Sequence, residues 1–311
     1  DGGAYLPAEH VSLTLDNVSV PQPVQSTLGN RRLILSGVSG RTNSGDVVGI
    51  VGRTGAGKST LLSVLQNITR KRDGAVLLDG RDLNSIPRKV LRHVIGVLPQ
   101  LPFVFKGWTL RRFLDPRMLY SDSDIMTALE CCGLLDLVNS LPCDNCLDAI
   151  MIADDVVVRR GLYVVVPLFR LRRGDNHGFV LENRSHNRSP GTGSRKTFFS
   201  FTQLRMLTFA RLVLYRSSYR VLLIDEPPAD DEKSGEHGGD GMGQDAGRYA
   251  ASALPVYDLV KIYFKHCTTF IVAHDKNVLK YCNKLWKMQE GSIAHNICGT
   301  GDVADYLNGG G

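Results

Sequence analysis

The chain has 311 residues, 43% hydrophobic and 22% charged. That length and balance suit a soluble globular protein of one large or two ordinary domains, and its longest apolar stretches fall well short of the ~20 residues a membrane-crossing helix needs. The formal charge of +6 is concentrated, because residues 156–198 hold nine Lys or Arg against two acids; this speaks against a global nucleic-acid-binding surface and leaves only a local basic arm.

The first residues, DGGAYLPAEH, carry neither a secretory leader nor an initiator Met, so the chain is read as a fragment. VSLTLDNVSV at 11–20 and RRLILSGVSG at 31–40 alternate as strands and are expected to form an antiparallel edge. DVVGIV is a buried strand that runs into GRTGAGKST, residues 52–60, and then into a helix-forming segment. Gly52, Gly57, Lys58 and Ser59 have the spacing of a phosphate-binding loop. Its glycines let backbone N–H groups close around an oligophosphate, its lysine adds a point charge, and its hydroxyl suits Mg²⁺. The following helix N-terminus favours the same anion.

AVLLDG at 75–80 reads as a short strand, PRKVLRH as a Pro-led helical piece, and GVLPQ at 96–100 as a strand ending near Gln100. From Thr109 to about Pro142 the pattern is helical, with Ser121 and Asp124 spaced as a capping box and Ile125, Ala128, Leu129 and Cys132 on one face. Residues 143–198 break that pattern and read as a basic insertion, in which two valine-rich runs could pair as a hairpin. Residues 201–215 are helical again, with Met206, Leu207, Ala210, Val213 and Leu214 on one side. The units at 109–142 and 199–215 are expected to make one helical subdomain.

VLLIDE at 221–226 is an apolar run ending in two acids, as expected of a buried parallel strand that delivers carboxylates to a sheet edge. Residues 232–248 are Gly-rich and read as a second, flexible insertion. Beyond it come a helix at YDLVKIYFKH and a buried strand, TTFIVAH, ending at His274. A short helix, a hairpin across KLWKMQEGSIAHN and a last helix are expected to form a peripheral cap. The seven cysteines, odd in number and without a secretory signal, point to reduced thiols. Cys143 and Cys146 lack the second pair that zinc would need, and Cys131 and Cys132 read as packing thiols.

Four features converge, namely the phosphate loop and, at strand ends, Gln100, the Asp225–Glu226 pair and His274, and phosphoryl transfer to water accounts for them. Ser59, Asp225 and Gln100 offer hard oxygen ligands for Mg²⁺, Glu226 is placed as the base on the opposite face of the strand end from Asp225, and His274 could donate to the γ-phosphate. Taken singly, Gln100 is a loop polar residue and His274 an ordinary strand-end histidine.

With these residues in hand, the chain resembles the nucleotide-binding domain of ABC transporters over most of its length outside the two insertions. GRTGAGKST matches the Walker A motif, Pro99 and Gln100 the Q-loop, LLIDE the Walker B motif with its catalytic glutamate, and Ala273 and His274 the H-loop. LLDGRDLNSI and FKGWTLRRFLDP are similar to the second nucleotide-binding domain of the C subfamily, with Trp108 as an extra residue.

The resemblance implies an α/β fold of the P-loop NTPase kind, with a mixed central sheet, an antiparallel β edge subdomain and a small helical subdomain, all in one domain spanning 1–311. It implies catalytic roles for Lys58, Gln100, Glu226 and His274, and ATP contacts from Gly52, Thr54, Gly55, Ala56, Gly57, Lys58, Ser59 and Thr60. The family signature aligns with Phe199, Ser200, Phe201, Thr202 and Gln203, so Ser200 and Gln203 remain as ATP contacts while both glycines are replaced. The aromatic that stacks on adenine falls near Gln22, and the segment after Walker B reads PPADDE. The implied partners are a second nucleotide-binding domain, packed head to tail, and transmembrane domains at the cytosolic face of a membrane, with no nucleic acid. A Mg-ATP-holding regulatory module and a soluble ABC ATPase stay open as alternatives.

Overall fold

The computed structural model describes residues 11–22, 33–69, 72–105, 107–141 and 145–151, short pieces between 157 and 199, and residues 201–225 and 253–309. Glu226, Ser200, Cys143, the PPADDE segment and residues 232–248 lie outside the described residues. The chain divides into two compact units, one of residues Asp1–Gln100, Arg216–Lys233 and Ser252–Gly311, the other of Leu101–Tyr215 and Ser234–Ala251.

In chain order the first unit begins with β1 (Val11–Pro21), β2 (Leu33–Asn43), β3 (Val47–Val51) and α1 (Lys58–Leu65). β4 (Asp73–Leu78), β5 (Arg81–Asp82), α2 (Arg88–Val94) and β6 (Ile95–Leu98) follow. The second unit supplies α3 (Leu110–Leu114), α4 (Asp122–Cys131), α5 (Leu135–Asn139) and β7 (Ile150–Met151), then β8 (Val157–Arg159), β9 (Leu162–Val164), β10 (Leu171–Arg173), β11 (Phe179–Leu181), β12 (Lys196–Thr197) and α6 (Phe201–Leu214). The chain returns to the first unit with β13 (Val221–Asp225), α7 (Ala253–Tyr263), β14 (Thr268–Val272), α8 (Lys276–Leu279), β15 (Lys284–Gln289), β16 (Ser292–Cys298) and α9 (Thr300–Gly309).

The antiparallel edge expected from the alternating N-terminal segments is a sheet of order β2-β1-β4-β5. In β1 the buried apolar residues are Leu13 and Leu15, then Val18 and Val20. A step of three between Leu15 and Val18 would send the second pair to the wrong face of a strand. The register shifts at that point and Asn17 has φ 49°, so a bulge absorbs the extra residue and restores the face.

The central sheet runs β16-β15-β3-β14-β13-β6, parallel throughout except for β16 against β15. Val221, Leu222, Leu223 and Ile224 are fully buried in β13, as are all five residues of β14. Burial on both faces is what turns a strand into a continuous apolar run. The mixed sheet and antiparallel subdomain match the fold expected from sequence.

The C-terminal segment departs from the expected peripheral cap. β15 lies inside the sheet, hydrogen-bonded to β3 on one side and β16 on the other. Asn283 fixes its start, donating to Asp46 at 3.1 Å and accepting from the Val47 amide at 2.7 Å, and Lys284 pairs with Asp46 at 2.6 Å. Trp286 is then fully buried against Phe270.

In the second unit, Thr109 caps α3, and Ser121 with Asp124 forms the reciprocal capping box on α4. The face of Ile125, Ala128 and Leu129 is buried, as its spacing predicts. α6 differs from its one-sided reading: Arg205, Thr208, Phe209 and Leu212 are buried along with Met206, Leu207, Ala210, Val213 and Leu214, so the helix is covered nearly all round. Among the short strands, β8 pairs with β9 and β10 with β11, both antiparallel, while β12 pairs in parallel with β7. Among the described residues, no helix is long and apolar enough to cross a membrane.

Candidate functional site

The loop from Gly52 to Gly57 leaves the end of β3 and feeds directly into α1, as the motif requires. Gly57 is the N-cap of that helix with φ 98°, a left-handed conformation that costs an L-residue roughly 1–2 kcal/mol. A Cβ there would also press on Leu35 Cδ2 at 2.7 Å. Inside the loop the Ala56 amide donates to Arg53 O at 3.1 Å, which curls the backbone.

Lys58 is buried and folds back along the loop, donating to Gly52 O at 2.6 Å and Arg53 O at 3.0 Å. Burial lowers its proton affinity from the ordinary lysine value, and the carboxylate of Asp225 opposes that shift. The ammonium is therefore held beside the loop by two carbonyls, within the field of the acid at the end of β13. Ser59 and Thr54 are exposed, and Thr60 is half-buried.

Parallel pairing in register brings the other candidates of this unit to the same sheet edge. Ile50 pairs with Val272, Val272 with Asp225, and Leu98 with Ile224. Gly52, Gln100 and His274 each follow two residues beyond one of these rows, and Asp225 ends β13 itself. Gln100 and His274 are exposed, and Asp225 is half-buried. After His274, Asp275 caps α8 by accepting from the Asn277 amide at 2.8 Å, so a helix begins directly beyond the edge. Gln203 is half-buried near the start of α6 in the second unit.

Chemically, the edge gathers a buried cation, a helix N-terminus, a carboxylate and an exposed hydroxyl. The first two suit an oligophosphate, and the hydroxyl and carboxylate oxygens of Ser59 and Asp225 suit a hard divalent cation such as Mg²⁺. This donor set fits the pair Mg²⁺ and nucleoside triphosphate, with no soft ligand in it.

Residues 35–229 match the family model described as ABC transporter. That match covers more than half of the chain, which belongs to the ABC transporter family and holds its ATP-binding ATPase domain. Among curated relatives, ABC transporter C family member 14 of Dictyostelium discoideum is 27% identical over 259 residues, covering 83% of this chain and 15% of the relative. C family member 13 of the same organism is 44% identical over 108 residues, covering 35% of this chain and 8% of the relative. The human ATP-binding cassette sub-family C member 10 is 42% identical over 107 residues, covering 34% and 7%. The chain thus spans a small part of the curated relatives it matches. Among solved structures, a bacterial Atm1-family ABC exporter with ATP bound matches with a TM-score of 0.60 and 21% identity, over 96% of this chain and 40% of that one; it shows the fold.

Two contacts of this arrangement are not encoded by the motifs' side chains. One is the pair of backbone carbonyls that hold Lys58, which no side-chain pattern encodes. The other is the turn between β15 and β16, which touches the phosphate loop from behind: Gly291 donates to Ala56 O at 3.2 Å. Its only sequence signal is the Glu290-Gly291 pair between alternating segments, which marks a tight hairpin and says nothing of what the hairpin meets.

Proposed function

We propose that the chain is the nucleotide-binding domain of an ABC exporter, similar to the second such domain of C-family transporters, and that it hydrolyses ATP to drive export of a substrate. The observation that carries this reading is the register of Ile50, Leu98, Asp225 and Val272 in neighbouring parallel strands, which delivers the phosphate loop, Gln100, Asp225 and His274 to one edge. Lys58 and the loop amides from Gly55 to Ser59 bind and orient the β- and γ-phosphates. Mg²⁺, when held by Ser59, Asp225 and Gln100, neutralises phosphate charge. Glu226 takes the proton of the attacking water as general base, and His274 donates to the γ-phosphate.

The partners follow from family geometry: a second nucleotide-binding domain in head-to-tail contact, and transmembrane domains at the cytosolic face of a membrane. Phe199, Ser200, Phe201, Thr202 and Gln203 occupy the signature, with Ser200 and Gln203 as its contacts to the partner-held ATP. Phe201 and Thr202 stand where backbone must approach a phosphate closely, so this half-site is degenerate. The pairing of Lys196 with Ile150 and Thr197 with Met151 sets the two flanks of the basic segment side by side, which supports reading 143–198 as an insertion.

Single-turnover hydrolysis by the full transporter carrying Glu226→Gln tests the proposal. Loss of a positioned base is expected to slow the step by about 10²-fold or more. An unchanged rate removes Glu226 as the base and the hydrolytic reading with it.

A further inference from the structure

We propose that Gly291, at the tip of the β15–β16 hairpin, is a positioning residue for the phosphate loop: its amide holds the Ala56 carbonyl and thereby aims the Gly57 N–H at the nucleotide phosphates. The proposal rests on the reading of residues 52–59 as the phosphate site. In a trans peptide the C=O and the N–H of the next residue point in opposite directions across one rigid plane. Gly291 donates to Ala56 O at 3.2 Å, from the hairpin side of the loop. The Ala56–Gly57 plane is thereby fixed with the Gly57 N–H facing away from the hairpin. Such preorientation of a donor counts in phosphate binding because no reorganisation is left for the moment of binding.

The hairpin is itself held in place. Gln289 pairs with Ser292, and the two residues between them, Glu290 and Gly291, have φ 48° and 79°, the pattern of a two-residue turn that matches strand twist. Gly291 O accepts from the Ser36 amide at 2.9 Å, so one residue links the loop through its N–H to β2 through its C=O. The neighbourhood leaves no room for a side chain, since a Cβ on Gly291 would run into Ile34 O. The loop meets the same two elements at two of its three glycines: a Cβ on Gly52 would lie 2.5 Å from Met288 O, and one on Gly57 would lie 3.2 Å from Ile34 O. The phosphate loop is thus seated between the start of β2 and the β15–β16 hairpin, and Gly291 is the point where the three backbones meet.

The test compares ATP affinity of the unaltered chain with Gly291→Ala and with Gly80→Ala. Gly80 has nearly the same backbone strain, φ 77°, but a Cβ there meets nothing within 4 Å, so it controls for strain alone. Gly291→Ala is expected to weaken ATP binding by about tenfold or more, the loss that follows from misaiming one donor to a charged phosphate, while Gly80→Ala stays within about twofold by the same reasoning. Should Gly291→Ala not fold, amide exchange of the unaltered chain decides: by linkage, ATP must slow exchange at the Gly291 amide if that bond favours binding. Equal exchange rates with and without ATP, or normal ATP affinity in Gly291→Ala, overturn the proposal. An unaltered chain that binds no ATP removes the reading of the loop itself, and the role of Gly291 falls with it.

Discussion

The carboxylate of Asp225 opposes the effect of burial on the Lys58 ammonium, linking the end of one parallel strand to the loop that leaves another. Burial alone drives a lysine toward its neutral form, whereas a nearby negative charge keeps it protonated. Asp225→Asn is therefore expected to lower the Lys58 proton affinity further, read by NMR titration of the Lys58 side chain. The sign for stability follows: with the folded-state affinity below the ordinary 10.5, the unfolded chain binds more protons as pH approaches that value, so stability rises with pH in the alkaline range. Asp225→Asn should widen that window downward in pH. A Lys58 titration identical in the two proteins would show that the acid contributes nothing.

In the second unit, Tyr215 donates its phenol proton to the buried carboxylate of Asp115, which also accepts from the Tyr120 amide at 2.8 Å. Tyr120 and Tyr215 meet edge to face, and Arg117 lies over the Tyr215 ring. Tyr215→Phe keeps the ring and removes one donor from the carboxylate, so the expected cost is about 1–3 kcal/mol in denaturant unfolding. Burial, with the Asp115 bond next, raises the Tyr215 pKa from 10.0 to about 12. A raised phenol pKa stabilises the fold fully below about pH 10 and loses that contribution as pH climbs toward 12. The tyrosine variant should lack this alkaline loss; if both proteins weaken alike, the phenol is not the titrating group.

The thiols divide by burial. Cys132, Cys267 and Cys282 are buried and their pKa values are pushed up to about 12, first of all by desolvation. The thiolate is the reactive form, and Cys298 is exposed. Maleimide labelling of the native chain near neutral pH, mapped by mass spectrometry, should therefore modify Cys298 early and reach Cys132, Cys267 and Cys282 only on unfolding. Rapid native labelling of Cys267 would contradict the burial of the strand it precedes.

The parts of the fold legible in the sequence are those in which local pattern and tertiary role coincide. VLLI at 221–224 and FIVA at 270–273 are unbroken apolar runs because their strands are covered on both faces, and the capping box at Ser121 and Asp124 is visible because capping acts within one turn. Gly52 to Ser59 was readable for the same reason, since strand, loop and helix are contiguous. What the pattern could not carry was contact between distant segments. The hairpin at 284–298 looks like any amphipathic hairpin, and long-range contacts such as those of Asn283 and Lys284, reaching Asp46 some 240 residues earlier, seat it beside β3. The near-complete burial of α6 likewise depends on what surrounds it, which a helical period does not reveal.

The interior position of β15 has a measurable counterpart in Trp286. A tryptophan in a peripheral cap would tolerate truncation, but here the ring is fully buried against Phe270, and a Cβ on Gly40 would come within 2.8 Å of it. Trp286→Ala removes the ring from a site whose neighbours are strands of two sheets and cannot collapse freely. The expected cost is about 3–5 kcal/mol, the range for deleting a large buried aromatic. Gly40→Ala fails from the other direction, by overfilling the same contact, at about 1–3 kcal/mol. Because one change empties the site and the other crowds it, their effects should not add: Gly40→Ala is expected to cost less, or nothing, when Trp286 is already Ala. Chemical unfolding of the two single variants and the double variant measures this, and strict additivity would place the two residues outside a shared packing site.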